Sequence, residues 1–246
     1  MEILLVFILG ILVSLLSSIA VGSLAILSLS GLLALGYAPL SAIGIFKLGG
    51  VGFSIGGLIQ YFKAKKIVWS LLPPLIATGS AGAIIGTFII ISIDESVIEK
   101  IIGFAILLFI PLSIWKPKLG TEHTVVSKGK RLAGHIAYFF TSIWAGSVSI
   151  GTGFMVMYSQ MYLYGLTILE VKGTNRIPNL LTKAFSVPIF AYYGYVNWEA
   201  GLVLALGMLI GSYIGTHYAL KLGDSWLRYI LLATMALFAL KLLLGL

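Results

Sequence analysis

Three stretches, Ile3–Ile19, Leu71–Ile93 and Gly201–Tyr218, contain no Asp, Glu, Lys or Arg. Each approaches the roughly 20 apolar residues that a helix needs to cross a hydrocarbon core of about 30 Å. Runs of this kind leave few folds open. In lipid every backbone amide and carbonyl must be satisfied internally, and a helix does so within one segment. Charged residues make up only 10% of the chain and hydrophobic ones 59%, where a soluble domain carries about 25% charged residues. The expected class is an all-α polytopic membrane protein, multi-pass in the cell membrane with the lipid bilayer as its solvent. The net charge of +8 then reports loop orientation rather than a nucleic-acid partner. The apolar run that follows Met1-Glu2 has no basic segment before it, so no cleaved signal peptide is expected.

The two halves of the sequence repeat at a spacing of 129 residues. Gly22, Ser30 and Gly36 fall on Gly151, Ser159 and Gly165, and Lys47 falls on Arg176. Trp69, Gly82, Gly86 and Thr87 fall on Trp198, Gly211, Gly215 and Thr216. Matched Trp and Gly spacing means more than matched Leu and Ile, and it indicates an internal duplication. The expected organisation is a first membrane repeat over 1–116, a basic cytoplasmic linker over 117–131 and a second repeat over 132–246. Each repeat reads as about four transmembrane segments. A first stretch (Ile3–Leu35 or Leu132–Tyr164) precedes three long segments, at 38–62, 70–93 and 97–115, then at 167–193, 199–220 and 225–244.

The first stretch is too long for one crossing and short for two. Small and polar residues interrupt it at Gly22-Ser23 and at Gly151-Thr152-Gly153, so it is expected to be broken or re-entrant. A single crossing would make the copies parallel, whereas folding back would make them inverted. Lys47, Arg176 and Lys183 are candidates for positions inside the membrane. Setting them aside, the inverted arrangement places 11 Lys and Arg on one side and 2 on the other, against 9 and 4 for the parallel one. The positive-inside rule therefore favours inverted repeats.

Lys47, Arg176 and Lys183 lie deep within their segments. A cation at a membrane helix centre costs about 2.5–3.5 kcal/mol on insertion scales, which makes it a functional-site hypothesis by default. Arg176, Asn179 and Lys183 fall at i, i+3 and i+7 on one helical face, with Asn175 and Thr182 beside them. Amides and hydroxyls alone would suit interhelical hydrogen bonding. Two added cations with no carboxylate in the same helix suit an oxyanion. The breaks at Gly22-Ser23 and Gly151-Thr152-Gly153 would add the amide ends of part-helices, which also favour anions. The candidate substrate-binding residues are thus Lys47, Asn175, Arg176, Asn179, Thr182, Lys183, Gly22, Ser23, Gly151, Thr152 and Gly153.

These residues resemble motifs of the sulfite exporter TauE/SafE family, also called the toluene sulfonate uptake permease family. GTNRIPNLLTKAF is similar to a family pattern T-x-K-x-x-N-x-x-S-N, with Arg176 in the lysine place, Asn179 on the asparagine, Thr182 on the serine and Lys183 replacing the last asparagine. SIGTGF (Ser149–Phe154) resembles the family's glycine-rich break, and Phe46-Lys47-Leu48 its N-K-L element with Phe46 in place of Asn. The resemblance covers nearly the whole chain. It implies transport of sulfur-containing anions such as sulfite, sulfonates and sulfoacetate.

The expected function is therefore secondary transport of a small sulfur-containing oxyanion, bound at a cationic midplane site between repeats. The alternatives are an anion channel and a non-transporting scaffold subunit. The chain has no Cys, no His-x-x-x-His pair and no Asp or Glu at mid-depth, which argues against an enzyme, a metal site and a cofactor.

Overall fold

The computed structural model of the protein describes residues 2–20, 23–93 and 120–243, with the side chains of Ser23 and of 232–243 outside that description. Gly22, the segment expected at 97–115 and linker residues 117–119 lie outside the described residues. The described elements are nine α-helices with no strand among them: α1 (Glu2–Ile19), α2 (Ser23–Ala34), α3 (Pro39–Lys63), α4 (Leu72–Ile91), α5 (Lys128–Gly146), α6 (Thr152–Leu163), α7 (Ile168–Thr174), α8 (Arg176–Tyr192) and α9 (Trp198–Leu243). Four stretches are long and apolar enough to cross a membrane, Glu2–Ile19, Pro39–Lys63, Trp69–Ile91 and Trp198–Leu231. The protein is a multi-pass helical membrane protein.

Local chemistry sets the ends of these helices. Pro39 opens α3 and Pro73-Pro74 open α4 after a 3-10 turn at Trp69–Leu71, positions where a missing N–H costs nothing. Helix α5 begins at Lys128, inside the segment expected to be linker, because Ser127 caps it by accepting the Lys130 N–H. The segments expected separately at 199–220 and 225–244 are two helices within α9, parted at Gly223, whose backbone is non-helical (φ 75°, ψ 172°). Between α7 and α8 the chain kinks at Asn175, whose backbone stays right-handed (φ −74°, ψ −7°). Pro178 lacks the N–H that would bond the Thr174 carbonyl, so the ladder is interrupted there.

The first stretch of each half folds back. Gly31 of α2 lies against Leu9 of α1, and Gly134 of α5 against Tyr164, the residue that follows α6. The helices then fall into two sets. Helices α1, α3 and α9 run the same way: Gly10 meets Leu204 and Gly215 meets Leu15, while Gly49 meets Leu204 and Gly56 meets Leu209. Helices α4, α5 and α8 also run together: Gly79 meets Tyr138, Gly86 meets Ile143, and Thr87 bonds Ser186 at 2.8 Å. The sets are antiparallel, since Gly44, Gly50 and Gly57 of α3 meet Tyr195, Lys183 and Arg176 in that order.

Many of these contacts are backbone to backbone. A β-carbon on Gly86 would collide with the Ile143 carbonyl, and one on Gly215 with the Leu15 carbonyl. Small residues permit such approach, which supplies much of the packing energy where lipid offers no hydrophobic drive. Two apolar clusters result. One gathers Leu32, Ile43, Ile45, Phe46 and Leu204, the other Leu75, Tyr138, Met157, Leu166 and Val171. A cavity opens between them.

Candidate functional site

The cavity has a volume of about 180 Å³ and is lined from α1 through α8. It far exceeds the roughly 10–15 Å³ that one water needs. Lys47, Lys172, Arg176 and Lys183 all line it, and no Asp or Glu does among the described residues. Hydroxyls and amides complete the polar wall, among them Ser142, Ser149, Asn179 and Thr182.

The four cations are not equivalent. Lys47 is 3% exposed. Its Nζ donates to the Ala145 carbonyl, to the Gly146 carbonyl at 2.8 Å and to Ser149 Oγ at 3.0 Å. Ala145 and Gly146 end α5, where four carbonyls lack helical donors and carry a negative partial charge. Lys47 therefore caps the broken end of α5 with all three of its protons. Lys172 does the same for α1, donating to Ser18 O at 2.7 Å and Ile19 O at 3.0 Å. Lys172 is one of the 13 Lys and Arg counted above as lying outside the membrane; that placement is corrected, because α7 carries Lys172 into the cavity wall. The spacing held the signal, since residues 172, 176, 179 and 183 continue one stripe. Lys172 corresponds at the 129-residue spacing to Ile43, one helical turn before Lys47.

Arg176, the residue that corresponds to Lys47, is 4% exposed and has other partners. Its Nη1 donates to Phe53 O at 2.8 Å, an oxygen that also accepts from Ser212 Oγ at 2.8 Å. Its guanidinium carbon lies 3.9 Å from the Phe53 ring centroid and 5.6 Å from that of Tyr61, both within cation–π reach. Gly57 leaves the space it fills, as a β-carbon there would collide with the guanidinium. Lys183 lies against Gly50 in the same way, and its Nζ has one acceptor, Asn179 O at 3.4 Å.

The other expected residues divide. Asn179 and Thr182 line the cavity, and the Thr182 hydroxyl donates to Asn179 O at 3.0 Å. Asn175 also lines it, but its side chain is held in a reciprocal amide pair with Gln160, at 2.6 and 3.1 Å. Thr152 and Gly153 line the cavity at the start of α6. Gly151 precedes them with φ 74°, a left-handed conformation that glycine adopts without steric cost. Ser23 starts α2, and Gly22 lies outside the described residues.

Residues remote from the cavity fix α7. Thr167 and Glu170 form a capping box at its start, and Asp224 Oδ1 accepts the Leu169 N–H at 2.7 Å. Both carboxylates suit a helix N-terminus. They hold in place the short helix that carries Lys172 and leads into Arg176.

Residues 6–242 match the family described as sulfite exporter TauE/SafE. The chain belongs to the TauE/SafE family. A probable membrane transporter protein of Haemophilus influenzae is 26% identical over 183 residues, or 71% of this chain and 70% of that protein. YfcA of Escherichia coli, described in the same words, is 24% identical over 200 residues, or 78% and 71%. MamO of Paramagnetospirillum magneticum, another probable membrane transporter, is 26% identical over 221 residues; these are 74% of this chain but 35% of MamO. No solved structure matches the chain. This TauE/SafE protein thus groups with membrane transporters, and its cavity lies within the matched residues.

Proposed function

We propose that this protein is a secondary transporter of the cell membrane, carrying a small sulfur-containing oxyanion such as sulfite or an organosulfonate. The anion binds in the cationic cavity, between two inverted repeats. One observation carries the reading: four cations and no carboxylate line a single cavity among the described residues. Buried charge of one sign needs a partner of the other sign. Arg176, Lys183, Asn179 and Thr182 supply donors from α8, while Thr152 and Gly153 supply the amide end of α6. Lys47 neutralises the carbonyl end of α5 next to it, so the break presents the anion with its positive side.

The helix directions support inversion. At the 129-residue spacing α1 corresponds to α5, α2 (Ser23–Ala34) to α6 (Thr152–Leu163), α3 (Pro39–Lys63) to Ile168–Tyr192, and α4 to the first part of α9. For α1, α3 and α4 the counterpart belongs to the opposite, antiparallel set. An inverted pair of this kind can open to either side by exchanging the roles of its halves.

Reconstitution into liposomes tests the function. Wild type is expected to take up sulfite or methanesulfonate saturably, faster when the same anion is trapped inside, and Arg176→Gln to lose most of that uptake. Large unitary currents would replace the carrier with a channel. Absence of any anion flux from a folded wild type would leave a scaffold subunit.

A further inference from the structure

The four cations differ in how much of their charge and hydrogen-bonding capacity the protein already uses. Lys47 and Lys172 sit on the carbonyl ends of α5 and α1, and each such end carries about half a negative charge. Neither of the other two hydrogen-bonds a carbonyl helix end among the described residues. Arg176 carries five N–H donors; the Phe53 carbonyl accepts one, and the Tyr61 side chain faces the group as a second partner. Lys183 carries three donors, and its one acceptor lies at 3.4 Å, beyond the usual 2.7–3.2 Å of an N–H···O bond. That contact turns the ammonium back along α8 towards Arg176. Gly50 and Gly57, seven residues apart and so on one face of α3, leave the room that both side chains occupy.

Resting on the anion-transport reading above, we infer that Lys183 makes this site selective for doubly over singly charged oxyanions. Arg176 takes the first negative charge, held in orientation by Phe53 and Tyr61. Lys183 takes the second, carried on a flexible stem. Lys47 and Lys172 shape the walls and contribute less to the choice, because the carbonyl ends already offset about half their charge and take most of their donors. With no carboxylate among the described residues of the lining, a monoanion leaves one of these two cations uncompensated.

The test is equilibrium binding of sulfate, thiosulfate and methanesulfonate to the purified protein at one ionic strength. Wild type is expected to bind the two dianions at least about tenfold more tightly than methanesulfonate, as one added charge-assisted hydrogen bond implies. Lys183→Gln is expected to lower the affinity for the two dianions at least about tenfold more than the affinity for methanesulfonate, so that the preference is lost, since the lost bond is made to the second charge. Lys183→Arg, which keeps the charge, is expected to retain it. Gly50→Ala leaves the charge in place but pushes Lys183 aside, so it too is expected to lower the preference, and it serves if Lys183→Gln does not fold. A wild type without the preference, or a preference that survives both Lys183→Gln and Gly50→Ala, would overturn the inference and leave the transporter reading standing. Failure of a folded wild type to bind any of the three anions would remove that reading, and this inference with it.

Discussion

Lys47 and Lys183 are both lysines in the lining of one cavity, yet the structure gives them opposite work. Lys47 donates to the last carbonyls of α5, so Lys47→Met leaves them only the Ser149 and Thr87 hydroxyls as side-chain donors. It should cost on the order of 1–3 kcal/mol in stability, the penalty for buried polar groups that lose a charged partner. The measurement is thermal unfolding in detergent without ligand. Lys183→Gln should shift that midpoint much less, and an equal loss in both would remove the distinction. Arg176→Lys keeps a charge but loses the planar group between Phe53 and Tyr61; anion affinity is expected to fall about tenfold.

At this scale the sequence was half legible. The stripe of Arg176, Asn179, Thr182 and Lys183 could be read because helical spacing alone puts those residues on one face, and all four line the cavity. What Lys47 does could not be read, since its acceptors lie about a hundred residues away, at Ala145, Gly146 and Ser149. Lys172 was missed because it precedes the kink. A hydropathy reading assigns such a residue to a loop, and only α7, pinned by Asp224 and Glu170, turns it inward.

At the scale of elements, the kink between α7 and α8 follows from one residue. Pro178→Ala would restore the hydrogen bond to Thr174 and let the two helices merge. The expected result is a higher unfolding temperature together with slower uptake, because Lys172 and Arg176 would no longer keep their separate partners. Faster uptake in this variant would show that the kink has no part in transport. The small residues between helices make a second case. Gly86→Leu and Gly215→Leu each insert a side chain where backbones touch, and overpacking costs at least about 1–3 kcal/mol. Both should reduce the folded yield, measured by size-exclusion chromatography, whereas Gly129→Leu, whose β-carbon meets nothing, should not. Element lengths were largely legible from apolar runs and prolines. The start of α5 was not, because a serine cap decides it.

For the whole molecule, the decisive property is which way each half faces. Lys63 ends α3 and Tyr192 ends α8, 129 residues apart at corresponding places. The chain has no cysteine, so a single Lys63→Cys or Tyr192→Cys reports alone. In sealed vesicles a membrane-impermeant maleimide is expected to label one variant from outside and the other only after lysis. Labelling of both from the same side would mean parallel copies. The basic-residue count favours opposite labelling, because Lys63, Lys65 and Lys66 have no basic counterpart near Tyr192.

Lys172 stands one turn away from the place that matches Lys47, and it holds two carbonyls where Lys47 holds three acceptors. In the inverted arrangement proposed above, that inequality would make the carrier a rectifier. With equal anion concentrations on the two faces, one face should empty the cavity faster than the other, and Lys172→Gln should change one exit rate more than its opposite.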